Sequence, residues 1–339
     1  LSVGAYHDAP APLRWPWLKD RPDGTWEHSL DAGIIGAFSA VIDAHVQLLF
    51  ETPASVLGFH LSNLSTQWTF EVIRRLRDRG DRRPVLLGGP ATWTRANWPE
   101  MPWNLVDYLV VGEGEQTLVT LIRRLLAGRP TFSIPGVVCP PGHPERYRPQ
   151  PPLKTLDLLP IPDFHHLPLD LYLERSIPIY GSRGCMHRCA FCSDQPYWGP
   201  LRSRSVHSVV KEMKYRVSEG SYRDFVFTDL VLGQEVGWLE ELADRLAEED
   251  LGVHWRAHVL PGPDTARDLF RKLAATGCTD LEYSIESFSE VVNDNVNRPL
   301  TPALVKDALS WSAEAGIENH VHFIVGLPGE DDSAVESML

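Results

Sequence analysis

Along most of the chain, short runs of apolar residues alternate with amphipathic stretches in which apolar residues recur at helical spacing. In the first part, short apolar runs predict strands at SVLGFHLS (55–62), RPVLLGGP (83–90) and VDYLVVGEGE (106–115). The segments between and after them, TQWTFEVIRRLRDRG and QTLVTLIRRLLAG, have the spacing of amphipathic helices. A further helix is predicted in AGIIGAFSAVIDAHVQLLF, ahead of the first strand. Strands alternating with helices favour a parallel sheet covered on both faces.

The second part repeats this alternation after a segment rich in proline. Residues 129–178 contain so many prolines that we expect no regular core there, and we interpret them as a linker. Beyond the linker, strands are predicted at 177–183, 224–229, 253–259, 280–287 and 320–326. Five successive β/α units suggest a barrel or part of one.

These patterns predict four regions. They are an unassigned N-terminal segment at 1–50, an incomplete domain at 51–128, the linker at 129–178 and a β/α domain at 179–339.

Composition narrows the classes of partner. The net charge of -13 over 339 residues repels phosphate backbones, so we expect no nucleic-acid partner. No apolar run approaches the length of a membrane span and no signal-peptide pattern opens the chain, so we expect no membrane partner and a cytoplasmic location. Five cysteines, an odd number and mostly in one cluster, argue against a disulfide framework.

Three of the cysteines lie within eight positions. The segment GSRGCMHRCAFCSD places Cys185, Cys189 and Cys192 in a C-x3-C-x2-C pattern directly after a predicted strand. A structural zinc site is one interpretation, with His187 as a fourth ligand. A redox C-x-x-C pair is another, but it leaves Cys185 unexplained. A [4Fe–4S] cluster held by three cysteines leaves one iron free for a substrate or cofactor.

This pattern, with Phe191 as the aromatic residue before the last cysteine, resembles the signature of radical S-adenosylmethionine (SAM) enzymes. The resemblance implies that Cys185, Cys189 and Cys192 ligate a [4Fe–4S] cluster. It also implies that SAM binds the open iron and is cleaved by one electron to a 5′-deoxyadenosyl radical.

Other motifs of the same family are expected at the ends of later strands. Asp229 ends VFTD, where the family places a polar group that can bind the SAM amino group. Glu286 and Ser287 end YSIES, which matches the motif that contacts the ribose or amino group of SAM. In HFIVGLPGE, Ile324 and Gly326 are the expected backbone contacts to adenine. Alternatively, Asp229 is a helix cap and GLPGE is an ordinary turn.

The first domain resembles the cobalamin-binding domain that precedes the barrel in cobalamin-dependent radical SAM enzymes. Glycines at the carboxyl ends of its predicted strands would let the backbone approach a flat ligand. The loop SNLSTQW would lie near the lower face of the corrin ring, although core packing is an equal alternative for Trp68. The predicted cobalamin-binding residues are Ser62, Asn63, Trp68, Gly88, Gly89, Gly112 and Gly114. His45 is interpreted as an ordinary helix residue, because DAHVQ lacks the glycine of the cobalt-ligating motif D-x-H-x-x-G.

The fold class implied by the resemblance is α/β. A Rossmann-like open parallel sheet of the cobalamin-binding type is followed by a partial radical SAM β/α barrel. The implied function is methyl transfer from methylcobalamin to an unactivated carbon of a small metabolite or peptide, with a flavodoxin or ferredoxin as electron donor. Alternatives are a radical SAM cyclase or rearrangement enzyme using cobalamin, a non-catalytic cobalamin- or cluster-binding fragment, and a methylthiotransferase acting on transfer RNA. The last predicts a basic surface, which this acidic chain lacks.

Two departures from the family pattern are expected to matter. No strand-helix-strand unit is evident in residues 1–50, where the cobalamin domain normally begins. The chain stops at Leu339, one short helix beyond GLPGE, so we expect a barrel cut short or completed by another chain.

Overall fold

The structure, a computed structural model, divides the chain into two compact units, Leu1–Pro152 and Leu153–Leu339. It describes residues 19–20, 26–27, 32–62, 65–143, 147–165, 167, 169, 172, 175–220, 222–262, 265–298, 300–336 and 338. The division falls within the predicted linker.

The first unit contains a small α/β sheet and its helices. Its strands are β1 (Lys19–Asp20), β2 (Trp26–Glu27), β3 (Leu57–His60), β4 (Val85–Gly88), β5 (Tyr108–Val110) and β6 (Val137–Val138). Its α-helices are α1 (Ala32–Ala37), α2 (Ser39–Glu51), α3 (Thr66–Asp78) and α4 (Gly114–Leu126), and 3-10 helices span Pro90–Thr92 and Arg95–Glu100.

The sheet of the first unit has the strand order β3-β4-β5-β6. Strands β3, β4 and β5 are parallel. Both faces of the central strand are buried: Val85 and Leu87 pack against one cluster of apolar side chains, which includes residues of α2 and α3. Leu86 packs against another cluster with Leu121 of α4. The predicted parallel sheet covered on both faces is therefore confirmed.

The proline-rich segment is more regular than we expected. Strand β6 lies inside residues 129–178 and pairs antiparallel with β5. Ile134 and Val137 are buried there, and Gly136 takes a positive φ of 82° that turns the chain into the strand. The expectation that this segment contributes no core was wrong at this point, because prolines are tolerated beside an edge strand.

The second unit is a longer series of strands and helices. Its strands are β7 (Ile177–Ile179), β8 (Ser182–Arg183), β9 (Arg202–Ser203), β10 (Asp224–Phe227), β11 (His254–Val259), β12 (Cys278–Glu286) and β13 (Glu318–Phe323). Its α-helices are α5 (Asp194–Trp198), α6 (Val206–Gly220), α7 (Trp238–Glu249), α8 (Arg267–Ala275), α9 (Glu290–Asn295), α10 (Pro302–Glu314) and α11 (Asp332–Glu336), with a 3-10 helix at Leu156–Leu158.

Five of these strands form one parallel sheet in the order β13-β12-β11-β10-β7, which follows the order of these five strands along the chain. The described residues form no closed barrel, in agreement with the predicted partial barrel. The strand predicted over 177–183 is instead two strands, because the chain bends at Gly181 and β8 pairs with β9 in a separate two-stranded sheet. Gly181 packs so closely on Trp238 that a Cβ would lie 2.7 Å from its ring.

The two faces of the five-stranded sheet differ in chemistry. Alternate residues such as Phe225, Trp255 and Tyr283 are buried in the core that the helices cover. Residues between them, such as His258 and Glu282, point to the opposite face and are partly exposed. Polar side chains therefore line this face of the sheet along β11, β12 and β13.

Among the described helices, none is both long and apolar enough to cross a membrane.

Candidate active site

The three-cysteine loop follows β8 and begins at a glycine with a positive φ. Gly184 has a φ of 82°, and a Cβ there would lie 2.3 Å from the carbonyl oxygen of Pro200. The next residue, Cys185, donates its main-chain N–H to the carbonyl of Gly199 at 3.4 Å. Only glycine fits this start of the loop, because both the conformation and the close backbone require it.

Each of the three sulfur atoms accepts one hydrogen bond. The main-chain N–H of His187 donates to Cys185 Sγ, and that of Gln195 donates to Cys192 Sγ, both at 3.4 Å. Arg298 Nη1 donates to Cys189 Sγ, also at 3.4 Å. Donors directed at all three sulfurs stabilise the thiolate form that a metal ligand requires.

Burial of the loop has an opposing effect. Cys185 and Cys189 are each 9% exposed, and Cys192 is partly exposed. Burial raises the pKa of the Cys185 thiol, and the His187 N–H and the charge of Arg298 act in the opposite direction. Phe191, the signature aromatic residue, is 40% exposed beside Cys192.

The spacing of the sulfurs separates the cluster interpretation from the zinc interpretation. Four ligands at about 2.3 Å from zinc lie about 3.8 Å from one another. Here the three sulfur atoms do not all lie within 4.8 Å of one another. Burial and the charge of Arg298 lower the pKa of His187, but the ring is not brought into a compact group with the sulfurs. The residues fit a larger inorganic cluster with three cysteine ligands better than a single zinc ion.

One compact group of potential metal ligands does occur among the described residues, away from the cysteines. It consists of Asp280, Glu318 and His320 on neighbouring strands β12 and β13. The group is largely exposed, and His320 Nε2 lies 3.3 Å from the Asp280 carboxylate and 3.6 Å from the Glu318 carboxylate. Exposed pairs of this kind are ordinary surface chemistry.

Asp229 lies two residues beyond β10 and is buried. Its carboxylate accepts hydrogen bonds from Gly181 N at 2.9 Å and from Ser182 Oγ at 2.6 Å, which fixes the bend between β7 and β8. Burial raises the pKa of Asp229 to about 6, although these hydrogen bonds favour the charged form. Asp229 does not cap a helix, since the next helix begins at Trp238.

Glu286 and Ser287 lie at the end of β12. Glu286 has a φ of 66°, is 6% exposed and lies 3.8 Å from Arg298. Burial raises the pKa of Glu286, and Arg298 opposes that shift. Ser287 is buried, and its hydroxyl accepts a hydrogen bond from Ser289 N at 3.1 Å. Contacts of these residues with SAM stay predictions.

Ile324 and Gly326 follow β13. The N–H of Ile324 donates to the carbonyl of Glu286 at 3.1 Å, which ties the ends of β12 and β13 together. Gly326 is exposed, has a φ of 91° and donates its N–H to the Glu330 carboxylate. The structure therefore brings both residues to the carboxyl edge of the sheet, at the same edge as Glu286.

A cavity of about 420 Å³ lies between the cysteine loop and the loops that follow β10 and β11. The cysteine loop contributes Met186 and His187, and the other loops contribute mainly apolar side chains. Those apolar side chains include Val231, Val236 and Leu260, and α8 adds Leu269. A cavity beside the cysteines at the carboxyl edge of a parallel sheet is a natural place for a small ligand.

In the first unit, glycines collect at the carboxyl edge of the sheet. Gly88 ends β4, and Gly89 has a φ of 98°. A Cβ on Gly89 would lie 2.6 Å from the carbonyl oxygen of Leu61, so there is no space for a side chain at this position. Gly112, with a φ of 84°, follows β5, and Gly114 begins α4. Glycines therefore follow or end β4 and β5, as the sequence predicted, and the His60 ring at the end of β3 lies beside Gly89.

The other residues predicted to bind cobalamin have local partners. Ser62 shares hydrogen bonds with Ser65 in the turn before α3. Trp68 is partly buried, and its ring meets that of His45 edge-on at a centroid distance of 5.9 Å. Asn63 lies outside the described residues. The roles of these residues toward cobalamin stay predictions.

Arg298 and Gln234 were missed from the sequence. Gln234 accepts a hydrogen bond from Met186 N at 2.9 Å and so supports the cysteine loop. Arg298, in the segment NVNRP, contacts Cys189 although the two residues are 109 positions apart. No local spacing connects residues so distant, and no motif marks either one.

Comparison with known families decides the nature of the second unit. The family described as the Radical SAM superfamily matches residues 179–339. Residues 179–339 belong to the radical SAM superfamily. The radical SAM domain of this chain thus contains the cysteine loop, Arg298 and the whole five-stranded sheet except the first two residues of β7.

Curated relatives extend beyond the radical SAM domain. The chain is 28% identical over 264 residues to an uncharacterized methyltransferase, PH0819, of Pyrococcus horikoshii, covering 75% of this chain and 56% of that protein. It is 29% identical over 253 residues to the anaerobic magnesium-protoporphyrin IX monomethyl ester cyclase of Rubrivivax gelatinosus, covering 70% of this chain and 44% of that protein. The chain thus spans about half the length of these relatives.

A solved structure has a similar fold over most of the chain. It is the radical SAM methyltransferase TsrM from Kitasatospora setae, determined with cobalamin and a [4Fe–4S] cluster bound. The TM-score is 0.69 at 20% identity, covering 88% of this chain and 60% of TsrM. At this identity the likeness concerns the fold, and it supports the predicted fold class of both units.

Proposed function

We propose that this chain is the core of a cobalamin-dependent radical SAM methyltransferase that acts on an unactivated carbon of a small metabolite or peptide. The observation that carries the proposal is the cysteine loop, where three buried or half-buried sulfurs each accept one N–H donor. The loop lies in a domain of the radical SAM superfamily. Two relatives named methyltransferase, PH0819 and TsrM, support the reaction class.

In this proposal Cys185, Cys189 and Cys192 hold a [4Fe–4S] cluster with one open iron. Such a cluster, when bound, supplies the electron that cleaves SAM and so gives a radical able to remove an unactivated hydrogen. The chain's own residues would then bind SAM and orient it. Glu286 and Ser287 at the end of β12 are proposed contacts to the polar groups of SAM, and Asp229 supports the bend that precedes the loop.

The remaining SAM contacts would be made by backbone. Gly326 is exposed and lacks a side chain, which supports an approach of adenine to the segment that begins at Ile324. The cavity of about 420 Å³ beside Met186 is the proposed location of the substrate. Its apolar walls would exclude water from a reactive carbon.

The first unit is proposed to bind cobalamin. Its support is the row of glycines at the carboxyl edge of the sheet, together with a fold like that of TsrM, which binds cobalamin. Gly88, Gly89, Gly112 and Gly114 would give the corrin ring a surface of backbone. Ser62, Asn63 and Trp68 are proposed to lie near it.

A cyclase or rearrangement enzyme is the second candidate. The relative named as a cyclase in Rubrivivax gelatinosus is 29% identical to this chain, which favours this candidate as much as the methyltransferase names favour the first. A flavodoxin or ferredoxin is the proposed electron donor. None of the described cysteines forms a disulfide, which supports a reducing compartment such as the cytoplasm.

The test is anaerobic reconstitution of the chain with iron, sulfide and hydroxocobalamin, followed by metal analysis. We expect about four irons and one cobalt per chain. Cys185→Ala should lose most of the iron, whereas Cys278→Ala, which removes a buried thiol outside the loop, should retain it. Iron without cobalt would remove cobalamin from the proposal, and zinc in place of iron would overturn it.

Product analysis with SAM separates the two candidates. A methyltransferase removes a methyl group from SAM, so S-adenosylhomocysteine should accumulate together with 5′-deoxyadenosine. A cyclase or rearrangement enzyme should give 5′-deoxyadenosine without S-adenosylhomocysteine. Formation of 5′-deoxyadenosine alone by a chain that carries cobalamin would therefore refute the methyltransferase in favour of the cyclase.

A further inference from the structure

A short segment after α9 holds the cysteine loop by three contacts. We call residues 296–298 the clamp segment. The carbonyl of Val296 accepts a hydrogen bond from Ala190 N at 2.8 Å. Asn297 Nδ2 donates to the carbonyl of Arg188, also at 2.8 Å. The third contact is made by Arg298, and it is the one that reaches a sulfur atom.

Arg298 is a buried charge at the centre of the site. The residue is 6% exposed, and its Nη1 donates to Cys189 Sγ at 3.4 Å. Nη2 donates to the carbonyl of Ser284 and lies 3.8 Å from the Glu286 carboxylate. Nε is buried and has no hydrogen-bond partner among the described residues. One guanidinium thus connects a cysteine sulfur to the end of β12.

The charge of Arg298 is not needed to anchor the loop. Val296 and Asn297 already attach the clamp segment to the two residues on either side of Cys189. Burying a guanidinium is costly unless its charge is compensated, and Glu286 lies at 3.8 Å while Nε lacks a partner. An uncharged side chain would anchor the loop without that cost.

A positive charge next to a sulfur ligand changes how readily the cluster accepts an electron. Reduction adds one negative charge to the cluster, and a guanidinium that donates to a ligand sulfur stabilises that charge more than it stabilises the oxidised form. Hydrogen bonds to the sulfurs and nearby charges are known to shift the reduction potential of iron–sulfur clusters.

We infer that Arg298 raises the reduction potential of the cluster held by Cys185, Cys189 and Cys192, and that Glu286 moderates this effect. The inference rests on the proposed function, since it requires the cluster. In this assignment Arg298 is a positioning residue that acts through Cys189, not a residue that reacts.

The experiment is a potentiometric titration of the reconstituted full chain with dithionite as the one-electron donor, without SAM. Electron paramagnetic resonance and absorbance report the reduced cluster. The variants are Arg298→Gln, which keeps an N–H donor and loses the charge, and Arg298→Lys, which keeps the charge. Asn297→Gly is the matched control: it removes a neutral contact to the same loop, and glycine suits the positive φ of 54° at that position.

For Arg298→Gln we expect about a tenfold shift of the redox equilibrium toward the oxidised cluster, equal to about 59 mV for a one-electron couple. Arg298→Lys should retain most of the wild-type potential, and Asn297→Gly should leave it unchanged. An unchanged potential in Arg298→Gln, or an equal fall in Asn297→Gly, would overturn the inference.

Glu286→Gln gives a second test for the case that Arg298→Gln assembles no cluster. It removes the carboxylate near the guanidinium, so the potential should rise. A fall or no change in Glu286→Gln would contradict the inference. A wild-type chain that binds no cluster would instead overturn the proposed function, and the inference with it.

Discussion

The buried carboxylate of Asp229 should make the stability of the radical SAM domain depend on pH. Asp229 accepts hydrogen bonds from Gly181 N and Ser182 Oγ, yet burial dominates and raises its pKa from 3.8 to about 6. Because the folded-state pKa of Asp229 is raised, the contribution of its protonated carboxyl group to the free energy of unfolding is fully present below the unfolded-state pKa. It is lost as the pH rises through the folded-state pKa. We therefore expect Asp229→Asn, which cannot ionise, to remove this dependence.

The magnitude follows from the shift. A difference of about 2.2 pKa units corresponds to about 3 kcal/mol in total, at about 1.36 kcal/mol per unit. Between about pH 5 and about pH 7.5, roughly half of this, on the order of 1 to 2 kcal/mol, is lost in the wild-type chain. The free energy of unfolding of Asp229→Asn should therefore gain on the order of 1 to 2 kcal/mol relative to wild type over this interval. The amide can still accept one hydrogen bond and donate to the Ser182 hydroxyl.

The assay is urea unfolding of the full chain, followed by tryptophan fluorescence with the thiols kept reduced. Asp307→Asn is the control, since it removes an exposed carboxylate from α10 in the same unit. The comparison is the difference between variant and wild type at the two pH values, which cancels all other titrating groups. A difference that stays constant from about pH 5 to about pH 7.5 would refute the reasoning from a buried charge.

Two glycines lead to further predictions. Gly184→Ala forces a Cβ to within 2.3 Å of a backbone oxygen at a positive φ. We therefore expect the reconstituted variant to lose most of its roughly four irons. Gly262→Ala, where a Cβ would lie in open space, is the control and should retain them. Gly89→Ala places its Cβ 2.6 Å from a backbone oxygen and should lower the free energy of unfolding by about 2 kcal/mol or more. The same variant should bind cobalamin more weakly. Gly58→Ala, whose Cβ would have no atom within 4 Å, is the control. Full iron content in Gly184→Ala, or cobalamin binding by Gly89→Ala equal to that of Gly58→Ala, would contradict these expectations.

The strands of the two parallel sheets were predictable because each is a short apolar run bounded by turn residues. In β12, alternation is strict from Leu281 to Ile285, and the same period sets which side chains face the helices. The three-cysteine loop was predictable for a similar reason, since all of its ligands lie within eight positions. Local patterns of this kind depend only on neighbours along the chain.

The parts that were missed depend on residues far apart in sequence. The break between β7 and β8 depends on Asp229, which lies 48 positions from Gly181, and on the ring of Trp238. Strand β6 forms because a partner edge is available at β5, which overrides the local bias of the surrounding prolines. Arg298 could not be assigned either, because a guanidinium 109 residues away carries no periodic signal toward Cys189.

The contact between Cys189 and the clamp segment also bears on the order of events during biosynthesis. A chain synthesised only as far as Cys192 already contains all three thiols, but Arg298 is added 106 residues later. A contact this distant in sequence forms late in folding, because the intervening strands must be in place first. We therefore expect the cluster to be inserted into a largely completed domain rather than onto the emerging loop. Maturation of the metal site would then report that β12 and α9 have reached their final positions.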